Sequence, residues 1–403
     1  MIRSIAGSIA RPLAVAITGA SGGGSGGDFT PSSLFASSEG GVWYDPSNIS
    51  SLYQDDAGTT PVTAAAQTVG LMEDQSPNGI DAVQATVAAR PTYQTSPARL
   101  TLDKVDDRLI ATIPSGGYTG TMVIGTPEGT AAYGVTIPAG SYDIGGDGGD
   151  YFPGSAIVGW LIRDGALTSG EIADLRAWMI ARGAGDNYGS VTDFSGFWRG
   201  RSELTSFPLI DTSSGESFAT AWNGCSGLTS FPLIDTSSGE SFATAWQSCS
   251  GLTSFPLIDT SSGESFSSAW RICSGLTSFP AIDTSSGRAF INAWQYCSDL
   301  TSFPAIDTSS GTDFRGAWNG CSSLTSFPAN VFDSTPATKF TNAFTNTALD
   351  QTSIDNILTS IDTANTSNGT FNQSGGSAPS ATGEAAIDNL RARGWTVTVT
   401  GGY

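Results

Sequence analysis

Apolar positions recur every 24 residues through the second half of the chain. Each copy opens on Leu-Thr-Ser-Phe-Pro, at Leu204, Leu228, Leu252, Leu276, Leu300 and Leu324. Self-similarity with a period of about 20 to 50 residues is typical of units that stack on one another. The period therefore predicts a solenoid. This architecture forms a long surface, which suits binding of a partner better than catalysis.

Within one copy the pattern predicts a strand, a turn and a helix. Leu228 and Phe231 suit a short strand that ends at Pro232, because proline lacks an N–H donor. Residues 235–239, Asp-Thr-Ser-Ser-Gly, have the composition of a turn. Apolar residues then follow at helical spacing: Phe242, Ala245, Trp246 and Cys249. A strand with a helical return is the smallest leucine-rich-repeat unit.

Before the repeats, short apolar segments alternate with turn signals such as Pro77-Asn78-Gly79, which favours an all-β sandwich. One helix is expected there, because Thr168 and Glu171 form a capping-box pattern ahead of an apolar stripe. After the repeats, apolar spacing predicts helices over 353–361 and 384–393 and a final strand.

We therefore expect four segments. They are a docking peptide with a Gly/Ser linker at 1–27, a β-sandwich with a closing helix at 28–185, the repeats at 186–350, and a cap over the last repeat at 351–403.

Composition narrows the function. The 17 basic and 37 acidic residues give a net charge of −20, which disfavours nucleic acid as a partner. The chain has no histidine, which excludes hydrolases of the Ser-His-Asp and Cys-His types. We expect no enzymatic activity, no cofactor and no metal site. No run of 18 apolar residues occurs, so no membrane insertion is expected.

The five cysteines occupy one phase of the repeat: Cys225, Cys249, Cys273, Cys297 and Cys321. Side chains that point the same way from neighbouring strands have poor disulfide geometry. This spacing predicts a buried column of free thiols.

The N-terminus has an apolar stripe at helical spacing, formed by Ile2, Ile5, Ile9 and Leu13. We interpret it as a docking or oligomerisation peptide, tethered by the flexible linker at 21–27. Two alternatives are a cleaved secretory signal, which Arg11-Pro12 interrupts, and a disordered tail.

Three sets of aspartates are candidate ligand-binding sites. The aspartates that open the repeat turns, such as Asp235, are expected to cap those turns rather than bind cations. Gly145 to Asp150 offers two carboxylates, too few for a calcium site, and is interpreted as a turn. Asp106 and Asp107 would be the carboxylate pair of a glycan-active enzyme, but adjacent side chains point apart on a strand.

The outer positions of the predicted helical segment differ between copies, whereas the core positions hardly change. The middle and late copies gain four groups that favour binding: Arg271, Arg288, Tyr296 and Arg315. These four residues form the candidate recognition surface. The alternative is neutral drift on an exposed face.

Two resemblances bear on function. The stretch Gly-Val-Trp-Tyr-Asp-Pro-Ser-Asn that starts at Gly41, together with Asp103-Lys104-Val105-Asp106-Asp107, resembles concanavalin A-like, laminin-G-type modules of bacteriophage tail proteins. The pattern Phe-x-x-Ala-Trp-x-x-Cys-Ser-x-Leu-Thr-Ser-Phe-Pro resembles BspA-type leucine-rich repeats. The chain's ending, with Arg-Gly-Trp-Thr-Val-Thr-Val, is similar to that of repeat-bearing phage tail proteins.

These resemblances imply a non-enzymatic virion component, a tail fibre or receptor-binding protein located in the tail or baseplate and exposed outside the cell. The implied partners are other tail or baseplate proteins through the N-terminus and a glycan or protein of the host surface. Tail fibres imply a homo-oligomer, a homotrimer in particular. The alternative is a bacterial surface adhesin with BspA-type repeats.

Overall fold

The computed structural model describes residues 29–103, 105–145 and 156–403. The proposed docking residues Ile2, Ile5, Ile9 and Leu13, and the Asp147 and Asp150 of the glycine-rich loop, lie outside the described residues.

The part of the chain before the repeats is built from short antiparallel strands. Its strands are β1 (Gly41–Tyr44), β2 (Leu52–Tyr53), β3 (Leu71–Met72), β4 (Ala82–Val83), β5 (Thr92–Thr95), β6 (Ala98–Thr101), β7 (Arg108–Ile113), β8 (Tyr118–Gly125), β9 (Thr130–Ile137), β10 (Gly140–Gly145), β11 (Ala156–Ile157) and β12 (Gly159–Asp164). Three 3-10 helices accompany them: Pro31–Phe35, Ile49–Ser51 and Val87–Ala89.

The described strands of this part form three sheets. One has the order β10-β7-β4-β3-β2 and another the order β11-β6-β5. The third has the order β1-β12-β8-β9 and continues into β13 (Leu204–Ser206), the first strand of the repeats. The repeats therefore begin as an extension of an N-terminal sheet.

The expected helix is present as α1 (Ser169–Ile180), and its capping box is complete. The backbone N–H of Glu171 donates to Thr168 Oγ1 at 3.2 Å, and the N–H of Thr168 donates to Glu171 Oε2 at 2.7 Å. Leu175, Trp178 and Met179 are buried in one apolar cluster with Leu34 and Phe35.

The repeats contain turns where the sequence predicts helices. The N–H of Trp222 donates to Ala245 O of the next copy at 2.8 Å, whereas the N–H of Cys225 donates to Trp222 O at 3.1 Å. Backbone donors therefore alternate between the next copy and the local turn. Thr220 and Gly224 have left-handed φ angles of 58° and 82°, which an α-helix does not accommodate.

The sequence predicts a concanavalin A-like β-sandwich, an α/β leucine-rich-repeat solenoid and a C-terminal α/β cap. This predicted fold class is wrong. The described residues form four sheets of five, five, three and three strands and three α-helices, none of them within the repeats. The N-terminal sheets fit a β-sandwich only loosely. The prediction failed because four-residue turns, each with a left-handed residue, place side chains at i and i+4 as a helix does.

Aromatic rings stack between successive copies. Neighbouring tryptophans of the repeats lie between 5.2 and 5.5 Å apart, centroid to centroid, with nearly parallel planes. In each copy a phenylalanine packs edge-on against the tryptophan, as Phe231 does against Trp222 at 4.8 Å. These rings are nearly or fully buried, so this continuous column forms the core of the repeats. We call residues 193–347 the repeat stack.

The end of the chain alternates strands and helices. They are β14 (Lys339–Thr345), α2 (Gln351–Thr363), β15 (Thr370–Ser374), α3 (Ala381–Ala392) and β16 (Thr396–Thr398). The three strands form one parallel sheet in the order β14-β15-β16. Helix α2 packs on the last copy, where Ser353 Oγ accepts the N–H of Phe327 at 2.9 Å. Helices α2 and α3 agree with the two helices predicted here from apolar spacing.

Candidate recognition face

One side of the repeat stack carries most of the differences between copies. We call this side the outer face: it is the solvent side of residues 218–225, 242–249, 266–273, 290–297, 314–321 and 340–347. In each segment the third and seventh residues have left-handed backbone, and all of them except Gly316 are at least partly exposed. The inward residues are a phenylalanine, an alanine, a tryptophan and a cysteine, all buried; in the segment 340–347, Phe344 and Thr347 take the places of the tryptophan and the cysteine.

Beyond Ser202, the cations of the repeat stack lie on the outer face or at its edge. Between Ser202 and Leu390 the basic residues are Arg271, Arg288, Arg315 and Lys339. Three of the four predicted recognition residues, Arg271, Tyr296 and Arg315, lie on the outer face, and Arg288 lies at its edge, two residues before Phe290. They project from turns and not from the predicted helix.

Two of the predicted arginines already have partners on the face. Arg315 Nη2 and Nε lie 2.8 and 3.1 Å from Asp313 Oδ2, and Lys339 Nζ lies 3.8 Å from the same oxygen. This ion pair raises the pKa of Arg315, chiefly through its hydrogen bonds to Asp313. Arg271 Nε donates to Gln295 Oε1 at 2.7 Å. These arginines therefore position neighbouring groups as well as offering donors.

A cleft of about 280 Å³ opens on the outer face around Gly316. Its lining is mostly amide and aliphatic: Ile291, Asn292, Gln295, Arg315, Asn319, Thr341 and Asn342. Of the predicted residues, only Arg315 lines it, and the amides were missed. The signal was a glycine at both left-handed positions of one copy, Gly316 and Gly320, where neighbouring copies carry side chains.

Two bulky residues occupy left-handed positions on the outer face. Ile272 and Tyr296 have φ angles of 63° and 62° at the phase where Gly224, Ser248 and Gly320 stand. Left-handed backbone is unfavourable for a residue with a Cβ, and most of all for a β-branched one. Ile272 and Tyr296 are therefore not explained by a gain in backbone stability. This strain is evidence against the interpretation that the outer positions differ by neutral drift.

The aspartate and cysteine columns are structural, as predicted. Each turn aspartate accepts the N–H of the serine two residues later, as Asp307 Oδ1 does from Ser309 at 2.8 Å. The five cysteines are free and buried. Each thiol donates to a tryptophan carbonyl of the previous copy, as Cys273 does to Trp246 at 3.0 Å. Burial raises the pKa of Cys273 to about 12.

Asp103, Asp106 and Asp107 bring carboxylate oxygens within 4.8 Å of one another. The expectation that Asp106 and Asp107 point apart is wrong, because they lie in a bend between β6 and β7 and not on a strand. Backbone amides bind these carboxylates: Asp103 Oδ1 accepts from Val105 and Asp107 Oδ2 accepts from Asp103, both at 2.8 Å. Burial, with the two neighbouring carboxylates, raises the pKa of Asp107. The cluster holds its own loop together.

No protein-family model matches the chain, and comparison with curated proteins and with solved structures finds no match either. Among the described helices, none has the length and apolar character needed to cross a membrane.

Proposed function

We propose that this chain is a non-enzymatic component of a bacteriophage virion, a tail fibre or receptor-binding protein that recognises the host surface. The observation that carries the proposal is the outer face. Its positions diverge in the middle and late copies, while the buried positions of the same copies repeat almost unchanged. A rigid scaffold with one variable surface is how repeat proteins present a binding site.

The rigidity has a physical basis in the contacts between copies. Main-chain hydrogen bonds link each copy to the next, as from Phe242 N to Ser265 O at 2.9 Å, and the aromatic rings stack in register. Outer-face residues are therefore held at fixed separations, which lowers the entropic cost of binding an extended partner.

The sequence resemblance to phage tail proteins supplies the rest of the proposal. We propose that the N-terminal segment binds other tail or baseplate proteins and that the chain is a homo-oligomer. The outer face then contacts a host glycan or protein outside the cell.

The test is to locate the chain and then block it. Gold-labelled antibody against the repeat stack should decorate the tail of purified virions in electron micrographs. Recombinant full-length chain should bind host cells and reduce phage adsorption in proportion to its concentration. Its presence on bacterial cells and absence from virions would instead indicate the surface adhesin.

The binding test is specific to the outer face. A variant with Arg271→Ser, Tyr296→Ser and Arg315→Ala should lose cell binding while it unfolds at a temperature close to that of the wild type. A matched control carries changes outside the outer face, Leu233→Ser and Leu257→Ser, both at exposed leucines. Equal binding by both variants and the wild type would place recognition elsewhere on the chain.

A further inference from the structure

The cleft around Gly316 exists because one copy lacks side chains at both left-handed positions. An added Cβ at Gly316 would lie 2.2 Å from Asn292 Oδ1 and 3.7 Å from Gln295 Nε2. The floor is therefore bare backbone, with amide groups of the preceding copy reaching over it. Among the copies from Phe218 to Phe340, this copy alone has glycine at both positions.

The walls of the cleft offer hydrogen-bond donors and acceptors in pairs. Each amide side chain has a carbonyl oxygen that accepts and an NH₂ group that donates. The side-chain amides of Asn292, Asn319 and Asn342 make no hydrogen bond to any residue that the structure describes. Gln295 uses its oxygen to accept from Arg271, which leaves its NH₂ group for a ligand.

The cleft has little free charge. The one ionised side chain in its lining, Arg315, is bound to Asp313 by three hydrogen bonds of 2.8 to 3.1 Å. The chain as a whole carries a net charge of −20, which repels anionic polymers. Paired amides without net charge match a ligand rich in hydroxyl groups, since a hydroxyl both donates and accepts.

An aromatic ring lies beside the amides. Tyr296 follows Gln295 directly, and 46% of its surface is exposed. Its ring lies over Gly320, where an added Cβ would be 2.4 Å from Tyr296 Cδ1. A tyrosine ring offers an apolar face with a polar hydroxyl at its edge, and that combination matches the C–H face and hydroxyl edge of a sugar ring.

We propose that the cleft around Gly316 binds an uncharged saccharide unit of a polysaccharide, held by the amides of Asn292, Gln295, Asn319 and Asn342 with Tyr296 stacked beside it. The volume of about 280 Å³ suits a small unit and not a whole chain. This inference rests on the proposed function, because it names the ligand class of the same face.

The experiment uses the full-length chain and a panel of immobilised polymers. Neutral glucans, mannans and galactans are compared with alginate and polygalacturonate, which carry carboxylates. We expect binding to at least one neutral polymer, with an affinity that changes little between low and high salt. Preference for the carboxylate polymers, with binding that salt abolishes, would overturn the inference, as would failure of the folded chain to bind any neutral polymer.

Gly316→Thr tests the cleft directly. Threonine stands at the equivalent left-handed positions Thr220 and Thr244, so the scaffold accommodates it there. It should fill the cleft and weaken binding by about tenfold or more. Because the left-handed backbone at Gly316 strains a residue with a Cβ, the unfolding temperature is measured too, and binding is compared where both chains are fully folded. Thr244→Gly is the matched control: it removes a side chain at the same phase of a copy without these amides, and binding should not change.

The two proposals fail separately. If Gly316→Thr binds the neutral polymer as the wild type does, the saccharide site is wrong, whatever the virion contains. If the chain binds that polymer through the cleft but is absent from virions, the saccharide site stands and the virion assignment falls.

Discussion

The indole N–H of Trp198 donates to the hydroxyl of Tyr133 at 3.0 Å, and both side chains are fully buried. Tyr133 belongs to β9, and Trp198 is the first ring of the tryptophan column. Beside this bond, β13 pairs antiparallel with β9. The repeat stack is thereby attached to the N-terminal sheet through its core and its backbone.

Removing the tyrosine hydroxyl should weaken this junction. Tyr133→Phe leaves the Trp198 N–H buried without its acceptor, and we expect it to lower the free energy of unfolding by about 1–3 kcal/mol. Urea denaturation followed by tryptophan fluorescence measures the change. In a double-mutant cycle, Trp198→Phe should abolish most of the effect of Tyr133→Phe. Additive effects of the two changes would show that the bond does not stabilise the junction.

The buried thiols make stability depend on alkaline pH. In the unfolded chain a cysteine loses its proton near its usual pKa of about 8.5, whereas burial raises the pKa of Cys273 and Cys321 to about 12. Unfolding therefore releases thiol protons between these values, and the thiol contribution to stability should be lost as the pH rises from about 9 to 12. Urea midpoints across this range measure it.

The control replaces all five cysteines with alanine, which should flatten that alkaline slope. In the wild type the thiols should also resist a disulfide reagent at about pH 8, and all five should react after denaturation. Rapid labelling of the native chain would contradict the buried column.

The turn aspartates can be tested at one copy. Asp307→Ala removes the acceptor for the Ser309 N–H and should lower the free energy of unfolding by about 0.5–2 kcal/mol, as loss of a helix N-cap does. Asp307→Asn keeps an acceptor oxygen and should cost less. The hydrogen bonds from Ser309 lower the pKa of Asp307. Its contribution is therefore present above its usual pKa and is lost as the pH falls through the lowered value.

The unfolding temperatures of Asp307→Ala, Asp307→Asn and the wild type are compared at neutral and at acidic pH. The difference between wild type and Asp307→Ala should shrink at acidic pH, because the wild-type carboxylate is then protonated. A difference that stays constant with pH would mean that ionisation of Asp307 is irrelevant to the turn.

Backbone strain at Ile272 predicts an unusual stabilising substitution. Ile272→Gly should raise the free energy of unfolding by up to about 1 kcal/mol, because glycine accommodates the φ of 63° without a Cβ clash. Ile291→Gly is the matched control, since Ile291 does not have left-handed backbone, and it should destabilise the chain. Urea midpoints of the two variants should move in opposite directions. A loss of stability in both would mean that side-chain packing of Ile272 outweighs the strain.

The repeat's own residues show how far sequence could predict this structure. The 24-residue period, the buried thiol column and the aspartate turns follow from one copy compared with the next, because equivalent residues stack in register. The helical return was wrong at Thr220 and Gly224, whose left-handed backbone a pattern of apolar positions does not reveal. Small and polar residues at these phases were the available signal, since Gly, Ser and Asn tolerate turns better than helices.

The candidate site, too, could be predicted only in part from the sequence. Comparison of the copies shows which positions differ, and so it pointed to Arg271, Tyr296 and Arg315 and to the outer face that carries them. The ion pair of Asp313 with Arg315, and the amides of adjacent copies that converge over Gly316, became visible only in the folded chain. The physical reason is that a period fixes which residues are equivalent, whereas a cleft depends on which side chains meet across copies and which of them already have partners.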